Sequence, residues 1–187
     1  MVDSALTILH NFRRWNPKET KSNSVNRNLP VIWQPPRRNA LKINTDGSYV
    51  SRSPMGAISC LIRDESRVLC DGFARFVRTS SILQLEALAL LEGIKHVQER
   101  RSEVFEYESD SLEVVNTINS SNQPLWEVNA IILEVRDLLG RLSNVSVAHI
   151  DIGANQAANW VGKPETKFSF FGVGSQPSSK SLKFTLF

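Results

Sequence analysis

Three strand-like runs follow one another with only short breaks: "LKINTDGSYVS", "MGAISCLIRD" and "RVLCDGFARFV". The first alternates apolar and polar residues, which sends successive side chains to opposite faces of a strand. The second is an apolar run of strand length, and it joins the third across the turn "DESR". A compact region that opens this way is committed to a sheet with an antiparallel meander. Helical periodicity takes over next. Ser81 and Gln84 form a capping box, and Leu83, Ala87, Leu90, Ile94 and Val97 recur at steps of four and three along one apolar helix face. "VFEYESD" then reads as a strand and "SLEVVNTINSS" as a short helix. Val128, Ile131, Val135, Leu138 and Leu142 stripe another helix, "VSVAHI" is a strand, and "NQAANWVG" is a last short helix. The order βββαβααβα predicts an α/β domain whose two later strands are reached through helical crossovers.

At 187 residues, with 41% hydrophobic and 22% charged, the chain suits one globular domain with flanking segments. The domain is expected over residues 33–163, between a basic, disordered arm at 1–32 that docks near Trp33 and a disordered tail at 164–187. No apolar run reaches the length of a membrane span, and the N-terminal residues lack the order of a signal peptide, so an intracellular, monomeric protein is expected. Cys60 and Cys70 lie in strand-like runs without zinc-type spacing, and both are read as buried thiols. The net charge of +3 conceals a division. Residues 1–40 hold seven Lys/Arg against two acids and residues 163–187 four against one, whereas 41–162 hold eleven against sixteen. Attraction to phosphate therefore resides in the flanks or in local patches, and the acidic centre needs another explanation.

Three acids in that centre are candidates, each with a plain alternative. Asp46 precedes Gly47, and Asp-Gly is a strong hairpin signal, yet a turn there would split the run into two short strands. Glu86 could be a solvated helix glutamate, but it borders Ala89, Leu90 and Gly93. Asp110 with Glu113 could cap the following helix. If the first and fourth strands are neighbours and the helix crosses them, the three carboxylates converge. Carboxylates gathered without cations repel one another unless a hard divalent ion such as Mg²⁺ or Mn²⁺ is bound.

The runs "KINTDGSYVSRSPMGAISCLIRD", "LQLEALALLEGI", "VFEYESDSLEVVNTI" and "VAHIDIGANQAANWVGK" together resemble the plant-type ribonuclease H domain, of the type associated with reverse transcriptases. The upstream "WQPP" belongs to the same likeness, which spans about residues 33–163. The resemblance implies a ribonuclease H-like fold with a five-stranded mixed sheet. It also implies cleavage of the RNA strand of RNA–DNA hybrids by two Mg²⁺ ions, for which Mn²⁺ can substitute. Asp46, Glu86 and Asp110 take the places of three metal-binding carboxylates. The fourth falls on Asn159, an amide where the family has an acid, so the second ion should be held less tightly. His149 and Asn155 keep the family's spacing, but "HIDIGAN" has Asp151 and Ile152 where the family places an Arg. By resemblance His149 assists proton transfer or product release; otherwise it is a strand-end histidine. Asn155 reads as a helix-start residue, and Trp126 and Trp160 as core.

Two functions are therefore carried forward: a hybrid-cleaving endonuclease weakened by Asn159, and a binding module that kept the fold and lost efficient chemistry.

Overall fold

The structure is a computed structural model that describes residues 31–49, 53–100, 103–120, 123–142 and 145–162. The expected arm and tail therefore lie almost wholly outside the described residues. Among the described residues nine elements follow in the expected order. They are β1 (Ala40–Tyr49), β2 (Met55–Arg63), β3 (Leu69–Arg78), α1 (Ile82–Val97), β4 (Val104–Ser109), α2 (Leu112–Asn119), α3 (Asn129–Gly140), β5 (Val145–His149) and α4 (Gln156–Gly162). They build one five-stranded mixed sheet in the order β3-β2-β1-β4-β5. The β1–β2 and β2–β3 pairs are antiparallel, and β4 and β5 add in parallel beside β1. Parallel neighbours need a crossover, and α1 supplies it between β3 and β4.

The two faces of the sheet are covered differently. Ile43 of β1, Ile58, Cys60 and Ile62 of β2, and Phe105 and Tyr107 of β4 share one core with Leu85, Leu90 and Ile94 of α1. Val114 and Ile118 of α2 and Ile132 and Val135 of α3 close that core. Ser81 caps α1 by accepting the Gln84 N–H at 3.1 Å. Gln84 Oε1 returns the bond to the Ser80 N–H, one residue earlier than in a standard capping box.

On the other face Leu61 meets Ala157, Ala158 and Val161 of α4. That helix is held to the sheet by two serines: Ser48 Oγ donates to the Gly162 carbonyl at 2.7 Å and Ser59 Oγ to the Ala158 carbonyl at 2.8 Å. With seven residues, α4 is only about 10 Å long and covers one end of β1. The other end is filled by the segment before β1. Trp33 is 3% exposed and lies 3.5 Å from the Arg63 guanidinium. Arg63 donates to Asn44 Oδ1 at 2.5 Å, Asn44 donates to Glu108 Oε2 at 2.8 Å, and Lys42 lies 2.7 Å from Glu108 Oε1.

Three expectations need correction. Cys60 is buried, but Cys70 is exposed, because β3 is an edge strand and Cys70 is not on its covered face. Trp126 is 90% exposed in the connection between α2 and α3, where neither core reaches it. Asp110 does not cap α2; Ser111 holds the N-cap position, and its own side chain makes no capping bond.

Candidate metal centre

Asp46 is inside β1, paired opposite Ser59 of β2, so its Asp-Gly pair makes no turn. The strand continues through Gly47 because α1 passes almost against the backbone there. A Cβ on Gly47 would stand 2.7 Å from the Leu85 carbonyl carbon and 2.8 Å from the Glu86 nitrogen. Both distances are shorter than packed atoms allow, so only glycine lets the helix approach so closely. That approach brings Glu86, in the second turn of α1, beside Asp46. Asp110 directly follows β4, whose parallel register with β1 runs to the Thr45–Ser109 pair. The carboxylates of Asp46, Glu86 and Asp110 each offer an oxygen within 4.8 Å of the others.

These acids open into a cleft of about 310 Å³ also lined by Asn159, Ser111, Glu113, Ile82, Leu83 and Ile152. Among the lining residues there is no Lys, Arg or His. The electrostatic cost is visible in Glu86. Burial first, and then the charges of Asp46 and Asp110, push its carboxyl up to about 9, against the opposing hydrogen bond from the Gly47 backbone. Its Oε2 is buried without a hydrogen-bond partner among the described residues. Asp110 is also raised, chiefly by burial, while a hydrogen bond from Asn155 and the charge of His149 work the other way.

Asn155 and Asn159 have different tasks. Asn155 is fully buried just before α4, donates from Nδ2 to the Thr45 carbonyl at 2.9 Å and also bonds Asp110. It thus ties the start of α4 to the strand carrying Asp46, as expected of a residue that orders the preceding loop. Asn159, one turn later, accompanies the three acids into the cleft. His149 ends β5, paired in register with Ser109, and is exposed beside Asp110 outside the cleft lining. Trp160, within α4 and expected in the core, is half-buried at the edge of the cluster of Leu61, Ala157, Ala158 and Val161.

A divalent cation suits this donor set. Three oxygen donors within one ion's reach and a buried Glu86 oxygen without a hydrogen-bond partner among the described residues are what a hard ion stabilises. Sequence reasoning missed the closeness at Gly47, although the glycine stood next to the first acid. It also missed the apolar rim of Ile82, Leu83 and Ile152. Nothing in their spacing separates a rim from a core.

The reverse transcriptase-like family matches residues 44–164, a span that includes Asp46, Glu86, Asp110 and Asn159. A comparison with curated protein sequences gave no match. Among solved structures, RNase H1 from the halophilic archaeon Halobacterium salinarum NRC-1 superposes with a TM-score of 0.59 at 15% identity, covering 65% of this chain and 93% of that one. LC11-RNase H1 in complex with an RNA/DNA hybrid superposes at 0.57 with 16% identity, over 65% of this chain and 92% of the other. The foamy viral protease-reverse transcriptase in complex with an RNA/DNA hybrid gives 0.57 at 17% identity, over 78% of this chain but only 21% of its own. At such identities the likeness speaks for the fold. With its matched segment spanning well over half its length, the chain belongs to the reverse transcriptase-like family, and its sheet and helices form a ribonuclease H-like domain.

Proposed function

We propose that the domain, over residues 33–163, is a metal-dependent endonuclease that hydrolyses the RNA strand of RNA–DNA hybrids. The observation that carries this reading is the convergence of the Asp46, Glu86 and Asp110 carboxylates on one cleft, each offering an oxygen within 4.8 Å of the others. Two structural relatives bound to RNA/DNA hybrids support the substrate class.

Asp46, Glu86 and Asp110 would hold Mg²⁺ or Mn²⁺, with the Asn159 amide oxygen as a neutral fourth donor. Ions held there would supply Lewis-acid stabilisation of charge developing on a scissile phosphodiester. Each of the chain's own residues has a separate share. Asn155 fixes Asp110 and the start of α4. Ile82, Leu83 and Ile152 give the cleft an apolar rim. His149 stands in solvent beside Asp110, where an imidazole can relay a proton between bulk water and the reacting oxygen. Asn159 adds no charge, so a second ion is held less firmly than by a carboxylate.

A second reading has its own support. The neutral Asn159 and the acidic centre over residues 41–162 motivate a module that kept the fold, lost efficient chemistry and attaches to hybrid or structured RNA through its basic flanks. One assay separates the two: an end-labelled hybrid incubated with the full chain in Mg²⁺ and in Mn²⁺, beside Asp46→Asn and Asn159→Asp. The endonuclease reading expects cleavage that disappears in Asp46→Asn and rises at least tenfold in Asn159→Asp. Cleavage at the parent rate by Asp46→Asn would sink it. Binding without cleavage by every form would leave the module.

A further inference from the structure

Asp46 lies on β1 and Asp110 directly follows the neighbouring parallel strand β4, and two residues before each lies a member of one buried polar bridge. Asn44 precedes Asp46 on β1, Glu108 precedes Asp110 on β4, and the two are register partners. Residues two apart on a strand share a face, so Asn44 and Asp46 are on the same face of β1. The 2.8 Å bond from Asn44 to Glu108 ties β1 to β4 one step before Ser109, the strand residue that leads into Asp110.

The bridge does not stand alone. Lys42 braces Glu108 at 2.7 Å and also donates to the Gln34 carbonyl at 3.0 Å, while Arg63 braces Asn44. Trp33 lies across Arg63 at 3.5 Å and within 5.7 Å of the Lys42 ammonium. A planar guanidinium over an indole face is held by cation–π attraction and excludes water from the bonds beneath. The segment ending in Trp33 also reaches the other wall of the site. A Cβ on Gly153, in the loop that leads into α4, would lie 3.6 Å from the Val31 carbonyl. One short strap thus touches both the bridge behind Asp46 and Asp110 and the loop that delivers Asn159.

We propose that Trp33 is a positioning residue for the metal centre: by sealing the Arg63–Asn44–Glu108–Lys42 bridge it sets the spacing of Asp46 and Asp110. This rests on the metal-site reading above. It assigns the segment before β1 a part in ion binding, although none of its side chains lines the cleft.

The test is Mn²⁺ titration of the full chain, followed by the water-proton relaxation of bound Mn²⁺, with far-UV circular dichroism on the same samples. The variants are Trp33→Ala, Trp33→Phe, Arg63→Lys and Asp46→Asn. The indole N–H of Trp33 has no hydrogen-bond partner among the described residues, so Phe preserves the ring face and sacrifices no bond. Trp33→Ala and Arg63→Lys are expected to weaken Mn²⁺ at least fivefold while remaining folded, and Trp33→Phe to stay within twofold of the parent. If Trp33→Ala does not fold, the contrast between Arg63→Lys and Trp33→Phe decides in the same way. Parent-like affinity in folded Trp33→Ala, or in Arg63→Lys where Ala does not fold, overturns the inference and leaves the metal site standing. A parent that binds no Mn²⁺, or binds it as well after Asp46→Asn, overturns the metal site and this inference with it.

Discussion

Two ends of one sheet face carry buried charge and treat it in opposite ways. At the end under Trp33, Lys42 and Arg63 stand with Glu106, Glu108 and Asn44, cations and anions interleaved by hydrogen bonds and ion pairs. At the end that opens into the cleft, Asp46, Glu86 and Asp110 stand together with no cation among the lining residues. Both sets draw on β1, and only Thr45 stands between Asn44 and Asp46. A balanced buried network is part of the architecture, whereas an unbalanced one marks the place where an external charge is meant to enter. Burial alone does not distinguish them. Arg63 is drawn down to about 9, chiefly by burial, and Glu86 is driven up to about 9 by burial plus its neighbours' charges. Arg63 has Glu108 opposing its shift, while the charges of Asp46 and Asp110 both push Glu86 the same way as burial does.

The largest effect should come from unbalancing the first end. Lys42→Met keeps much of the volume but leaves Glu108 buried without its ammonium, and breaking a buried pair in this way costs about 3–5 kcal/mol. Urea denaturation should show that loss. Asp46→Asn, measured identically without metal, should be neutral or stabilising because it relieves repulsion. Equal losses in both would erase the distinction between the two ends.

A smaller effect concerns pH. The Glu86 pKa is higher in the folded chain than the ordinary value of 4.5, so between about 4.5 and 9 the folded state binds the extra proton. Its contribution to stability is complete below about 4.5 and is lost as pH rises towards 9. Melting temperatures recorded without metal across that range should fall with pH more steeply in the parent than in Glu86→Gln. Saturating Mn²⁺ should reverse the trend, since the ion competes with the proton. The smallest effect is at Trp126, 90% exposed and outside both cores. Trp126→Ala should shift stability by no more than about 0.5 kcal/mol in the same urea assay.

Much of this contrast was legible in the sequence, unevenly. The element order followed from periodicity, and the convergence of Asp46, Glu86 and Asp110 followed from placing β1 beside β4. The balanced network was not legible. Lys42 and Asn44 alternate with apolar residues, and alternation reads as one dry face and one wet face. It cannot announce that a distant Trp33 and a later helix cover the second face as well. Cys70 and Trp126 failed in the reverse direction, because apolar type alone does not reveal that an edge strand or a connecting segment leaves a side chain in water. Asp110 looked like a helix cap because a cap and a ligand call for the same side chain at the same strand end.

The tight passage at Gly47 has a consequence for any related chain. Asp46 and Glu86 sit forty residues apart in sequence and meet only because nothing projects from position 47. A relative that retains both acids but carries even a methyl group there must either lift its helix or bend its strand. Inheritance of the two carboxylates is then no guarantee of inheriting their partnership, and a residue with no functional group becomes the one to read first.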